Sequence, residues 1–216
     1  MTELHQGYPS DCNDGFHSDI ERLYDHAYCC AYNYMGETLE YYRHASVEDV
    51  TPSDFWAEYI WCVYASGFNA KVLSQKFNGL MSAYGPWDWV QSVAVLWPRV
   101  KKVIANEKKF TAVLECRAIL KKIGWDAFKE AFCTTPEALG VLPFIGKITK
   151  YHLARNIGMD CVKPDLHLVR LAKHYEFPSP EAMCEFLAGL SGERIGVVDL
   201  ILWSYCAAFG TKELEA

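Results

Sequence analysis

With 216 residues, 51% of them hydrophobic, the chain can bury a sizeable core in one large domain or two small lobes. The formal charge is −6, and the acidic, polar N-terminus (MTELHQGYPSDCND) excludes a cationic-then-apolar signal pattern. The longest C-terminal apolar run, 195–209, contains Asp199 and is too short to span a bilayer comfortably, so a cytoplasmic protein is expected, without a membrane partner.

The net charge hides a partition. Residues 1–60 hold twelve acids against two bases, whereas 97–124 hold eight bases against two acids and 142–174 hold six against two. Two basic stretches in an acidic chain fit an electropositive footprint for a polyanion, or solvated helix faces. Nine cysteines include the adjacent Cys29 and Cys30 but no CxxC pair. Their odd number and scatter exclude a complete disulfide framework and point to buried thiols; no metal site is expected.

Taken in chain order, the pattern is helical. Residues 20–44 read as one long aromatic-rich helix with Gly36 as its weak point. Thr51-Pro52-Ser53-Asp54 starts the next helix, whose aromatics (FWAEYIWCVYASGF) recur at spacings of three to five on a broad buried face. Gly85-Pro86 marks a turn, and Pro98 is expected to open the helix carrying the lysine-rich run. Gly124 closes that segment, residues 125–132 give a short helix, and 193–209 give a final apolar one. Alternating β-branched runs and Asn-Gly or Asp-Gly hairpin signals are missing, so the class is all-α.

The most informative segment is 135–158. Thr134 or Thr135 caps a short helix with Pro136 in its first turn. Leu142-Pro143-Phe144-Ile145-Gly146 reads as a tight hairpin, with a second helix from about 147 to 156 that stops at Gly158. Backbone N–H groups at that helix start, together with Lys147 and Lys150, make a phosphate clamp. An extended stretch follows, and Asp165 starts the next helix.

This order resembles the helix-hairpin-helix (HhH-GPD) DNA glycosylase superfamily. Its hairpin is usually written LPGVGxxTA and is followed by a VDxHVxR segment. Leu142, Pro143, Ile145, Gly146 and Thr149 match the hairpin; Asp165, His167, Val169 and Arg170 match the second motif. The close resemblance covers about 35 residues. A weaker echo at 64–77 (YASGFNAKVLSQKF) is similar to the family's substrate-pocket helices.

The resemblance implies one glycosylase-like domain over 1–216, with the helix-hairpin-helix at 135–158 and the catalytic loop and helix at 159–175. It implies two helical lobes with a base-binding cleft between them. The partner would be DNA, bound by a monomer that holds phosphates on the hairpin (Leu142, Pro143, Ile145, Gly146, Lys147, Ile148, Thr149, Lys150) and flips a base into the cleft. Asp165 would stabilise the positive charge that develops on the sugar or activate water. Lys163 would touch phosphate or substrate, and His167 would orient or pack. Tyr64, Ser66, Phe68 and Gln75 are the candidate pocket residues, whereas Trp56, Trp61 and Trp203 are expected in the core. The Lys101-Lys102 and Lys108-Lys109 pairs are candidate DNA contacts or solvated faces.

Departures from the family pattern carry information too. Bifunctional members place a Schiff-base lysine where this chain has Ile148. Lys147 is one residue earlier, rotated about 100° around the helix axis, so no efficient strand-cleaving lyase activity is expected. One of the pattern's hairpin glycines is Phe144 here. Past Cys184 only Cys206 follows, so no iron–sulfur cluster is expected; the resemblance leaves room for a monovalent cation at the hairpin.

Two functional readings stay open at this level. One is a monofunctional glycosylase that hydrolyses the N-glycosidic bond of a damaged or modified base. The other follows the wording IGKITKYHLARNIGMDCVKPDLHLVRLA, which resembles a divergent branch associated with phage hypermodified thymine. That branch is labelled thymine pyrophosphorylase or amino acid:DNA transferase. Such an enzyme would act in the host-cell cytoplasm, joining an amine to the flipped base. A catalytically dead DNA-binding module is the weakest reading, because the aspartate is present.

Overall fold

The computed structural model describes residues 19–210, which form eleven α-helices and one short 3-10 turn, with no strand among the described residues. The N-terminal stretch read above for a signal pattern, and Cys12, lie outside them. Helix α1 (Asp19–His44) is one element with a kink at Met35 (φ −146°, ψ 31°), one residue before Gly36. Helix α2 (Pro52–Ala65) starts on a reciprocal capping box. Thr51 Oγ1 accepts the Asp54 N–H at 3.2 Å, and the Asp54 carboxylate accepts the Thr51 N–H at 3.0 Å.

Helix α3 (Ala70–Tyr84) stops at Gly85, and α4 (Val93–Val100) follows the turn. Pro98 lies inside α4 rather than opening a lysine-bearing helix as the sequence suggested. Burial of Leu96 and Val100, four residues apart on one face, outweighs the hydrogen bond that the proline forfeits. The lysines divide as a result. Lys101 and Lys102 follow α4, while Lys108 and Lys109 fall in the first turn of α5 (Glu107–Ile123). Helices α6 (Trp125–Phe132), α7 (Pro136–Leu139), α8 (Thr149–Asn156), α9 (Leu166–His174), α10 (Pro180–Ser191) and α11 (Ile195–Phe209) complete the chain.

Side-chain burial separates two apolar cores. The larger lobe comprises α2 to α8 around Phe55, Trp56, Tyr59, Leu80, Tyr84, Leu120 and Phe128. The smaller lobe comprises α1 with α9, α10 and α11, around Tyr24, Leu39, Leu168, Met183 and Ile201. The chain therefore leaves the smaller lobe after α1, builds the larger one, and returns; α1 packs chiefly on α11. Each large apolar side chain buried this way contributes roughly 1.5–3 kcal/mol, so both lobes have the substance of real cores.

Polar contacts fix the joint. Arg194, at the start of α11, donates to the carbonyls of Tyr42 (2.8 Å), Ala45 (2.6 Å) and Gly158 (2.9 Å). Gly158 is required where α8 ends, because its φ is +91° and a Cβ would meet the Ser46 backbone at 2.7 Å. Below them, Arg155 of α8 and Asp199 of α11 form a buried ion pair at 2.8 Å. Burial pushes the Asp199 carboxyl up, against the pull of Arg155 and of the Lys163 N–H.

Candidate functional site

The hairpin is built from local chemistry. Thr135 caps α7 by accepting the Ala138 N–H at 3.1 Å. Leu142 and Ile145 are buried and anchor the turn, and Tyr59 donates a 2.5 Å hydrogen bond to the Pro143 carbonyl. Phe144 holds φ +64°, a left-handed conformation that the family pattern fills with glycine, and its ring stays half exposed. Thr149 Oγ1 accepts the Gly146 N–H at 3.0 Å, which closes the turn onto α8. No side chain caps α8, whose N-cap is Ile148.

Beyond α8 the backbone crosses to the smaller lobe, and Asp199 also fixes its course: the Lys163 N–H donates to Asp199 Oδ2 at 2.8 Å. Two residues later Asp165 caps α9, its Oδ1 accepting the N–H groups of His167 (3.0 Å) and Leu168 (3.3 Å). Its Oδ2 lies 3.5 Å from the Lys163 ammonium, which rests over the Trp203 ring at 5.8 Å. The carboxylate is thus aimed by two backbone donors on one oxygen, while the other faces Lys163 at the edge of the cleft that both residues line.

That cleft is a cavity of about 610 Å³ between the lobes. The larger lobe supplies Glu58, Trp61 and Ala65 from α2, Ala70 and Phe77 from α3, and Ile148 from the N-cap and His152 and Asn156 from the body of α8. The smaller lobe supplies Thr38 and Tyr42 from α1, Leu200 and Trp203 from α11, and the loop residues Lys163 and Asp165. Burial pushes the His152 imidazole down to about 3, with the Lys163 and Arg155 charges adding to the shift, so the ring is neutral.

The cleft brings together Asp165, Lys163, Ile148, Thr149 and Ser66. His167 is half-buried on α9 outside its lining, and Gln75 is exposed on α3, away from the cavity. Tyr64 is fully buried, its hydroxyl 2.8 Å from that of Tyr84. Phe68 is partly exposed beneath the Lys109 ammonium. Lys109 itself is buried and donates to the carbonyls of Tyr64 (2.9 Å) and Ser66 (2.6 Å), so it braces the loop between α2 and α3 instead of meeting a phosphate. Lys147 is exposed beside the hairpin, while Lys150 is engaged by Glu137 at 2.8 Å.

Sequence reasoning missed Glu58, Phe77, His152, Asn156 and Tyr42, and it placed Trp61 and Trp203 in the core. A signal for part of this set exists. Glu58, Trp61 and Ala65 are spaced three and four apart, one stripe of α2, and Ile148, His152 and Asn156, four apart each, run from the N-cap along α8. Among the described residues, no cluster of three or more His, Cys, Asp or Glu side chains could hold a metal ion, and no helix is long and apolar enough to cross a membrane.

Two all-α lobes, a helix-hairpin-helix on one and an aspartate-capped helix on the other, facing each other across a cleft, define a DNA glycosylase-like fold. The crystal structure of the 8-oxoguanine DNA glycosylase of Thermotoga maritima matches it with a TM-score of 0.63, over 88% of this chain and 98% of that one. Identity is 20%, so the likeness is one of fold. No family model matches the chain, and no curated protein sequence matches it.

Proposed function

We propose that the chain is a DNA-base-processing enzyme that flips a nucleotide into the cleft and hydrolyses the N-glycosidic bond of a damaged or modified base. The observation that carries this reading is Asp165: a carboxylate oriented by two backbone N–H groups, open to a cavity of about 610 Å³, and following the hairpin in the family's register. A base cannot be attacked inside the stack, so an aromatic-lined cleft beside a phosphate-holding hairpin is the arrangement the chemistry needs. As the bond to the base breaks, positive charge grows on the sugar; Oδ2 of Asp165, the oxygen not used by the cap and paired with Lys163, stabilises it and takes a proton from the attacking water. Ile148 puts a hydrocarbon where a bifunctional enzyme would hold its amine, so water is the nucleophile. Lys163 meets the substrate beside the aspartate.

Incubation with duplexes containing oxidised, deaminated or alkylated bases tests this. The expected products are free base and an abasic site in an unbroken strand, with no borohydride-trapped adduct and release about a thousandfold slower by Asp165→Asn. One observation favours a second reading, transfer of an amine to the flipped base. A cavity of about 750 Å³ shares Glu58 and Asn156 with the cleft and is lined by Glu37, Asp49 and Asp54, with Glu40 there already paired with Arg43 and His44; its acidic excess is suited to a cationic amine. A heavier nucleoside that forms only with added amino acid or polyamine would establish transfer and displace hydrolysis.

A further inference from the structure

Two carboxyl groups line the cleft, and their surroundings differ. Asp165 meets two backbone N–H groups and a lysine. Glu58, one turn before Trp61 on α2, forms no ion pair among the described residues. Its Oε2 accepts the Asn156 side-chain N–H at 2.7 Å, and Asn156 Oδ1 in turn accepts the Tyr42 hydroxyl at 3.3 Å. Burial pushes the Tyr42 phenol up to about 12, which keeps it a donor and fixes the Asn156 amide with its NH2 toward Glu58. Oε1 of Glu58 is left to carry a proton.

The rest of the environment agrees. Burial pushes the Glu58 carboxyl above its ordinary range; the Asn156 bond opposes this and Asp54 adds to it. The titratable groups that interact with Glu58 are Asp54 and Cys62 on its own helix and Tyr41 and Tyr42 on α1, none of them cationic; of the bases that share its cavities, His152 is neutral, Lys163 is paired with Asp165 and His44 with Glu40. From α8 comes Asn156, while Arg155 is turned to Asp199. Beside Glu58 on the same stripe, Trp61 meets Phe77 edge to face with centroids 5.2 Å apart, an aromatic wall on which a base can rest while its sugar lies at Asp165.

We infer that Glu58 is the general acid that protonates the departing base, which makes the substrate class of this cleft the uncharged modified bases rather than cationic N-alkylated purines. The inference rests on the hydrolytic reading above. As the C1′–N bond breaks, its electron pair stays with the base and the Oε1 proton moves to the base heteroatom that gains charge. The water oxygen bonds to C1′ and its proton passes to Asp165, which releases it to solvent while solvent returns one to Glu58, so none is consumed. A purine alkylated at N7 is already cationic, leaves as a neutral heterocycle and needs no acid.

Single-turnover base release by wild type and Glu58→Gln, across pH, tests the assignment on duplexes carrying 8-oxoguanine, uracil, hypoxanthine or 7-methylguanine. Wild type is expected to release at least one of the three neutral bases, at a rate that falls as pH rises through the Glu58 titration, because the acid must be protonated. Glu58→Gln should be slower by about a hundredfold or more on that base and should lose the alkaline limb. A variant within about threefold of wild type with the same profile overturns the role of Glu58, as does a wild type that releases only 7-methylguanine. A wild type that releases nothing sinks the hydrolytic reading, and this inference with it. If Glu58→Gln does not fold, the wild-type profile decides: without an alkaline limb the general acid is refuted.

Discussion

Replacing Asp199 by alanine removes a residue outside the cleft lining, yet both the joint and the site depend on it. Its Oδ2 receives the Arg155 guanidinium and the Lys163 N–H, each at 2.8 Å, and its side chain is fully buried. Asp199→Ala leaves a guanidinium that is 7% exposed without its counter-charge. An uncompensated buried charge costs about 3–5 kcal/mol, and the stranded Lys163 N–H adds about 1 kcal/mol. Against a total stability of about 5–15 kcal/mol for a domain, that is a large share. At this chain length the melting temperature should fall by roughly 10–20 °C. Urea and thermal unfolding followed by circular dichroism measure it. The double variant Arg155→Met, Asp199→Leu should recover most of the stability, since neither charge is then desolvated. It should not recover activity, because the Lys163 N–H still lacks its acceptor. A single variant within about 1 kcal/mol of wild type would refute the account of the joint.

His152 is neutral in the fold and titrates at about 3, below its ordinary 6.5. The unfolded chain therefore takes the proton first, and this contribution to stability, complete above pH 6.5, is lost as pH falls toward 3. His152→Phe should flatten that part of the urea-midpoint profile. Lys147 is exposed and Lys150 is paired with Glu137, so Lys147→Ala should reduce the salt slope of duplex binding by about 0.9, and Lys150→Ala by less. Gly158→Ala, forced against the Ser46 backbone at positive φ, should cost about 2–3 kcal/mol in a thermal melt. Gly189→Ala, in α10 with open space around it, should gain up to about 1 kcal/mol in the same melt.

What was legible in the sequence was what local chemistry decides. Thr51, Thr135 and Asp165 cap helices because their side chains reach backbone N–H groups two or three residues on, and spacing alone predicts that. The hairpin was legible for the same reason. Lobe membership was not: α1 joins α9, α10 and α11 through apolar faces more than a hundred residues apart in sequence. The cleft wall was equally hidden. Gln75 and Phe77 are two positions apart on α3 and so about 200° apart around its axis; only packing shows that Phe77 faces inward. Lys109 read as a DNA contact or a solvated face, whereas the carbonyls of Tyr64 and Ser66 and the rings of Tyr64, Phe68 and Phe144 hold it inside. Pro98 misled because burial of its neighbours overrode a backbone rule.

Asp165 carries the proposed chemistry, and asparagine at that position keeps the cap, since its side-chain oxygen still accepts from His167 and Leu168. Only the charge is lost. A unit charge about 4 Å from the sugar is worth about 4 kcal/mol at an effective dielectric constant near 20, or roughly a thousandfold in rate. The decisive measurement is mass-spectrometric quantification of free base released from modified duplexes by wild type and Asp165→Asn under single-turnover conditions. Release by wild type, slowed about a thousandfold in a variant with an unchanged melting temperature, is the expected result. Equal release by the two proteins, or a modified nucleoside in an intact strand in place of free base, would contradict it.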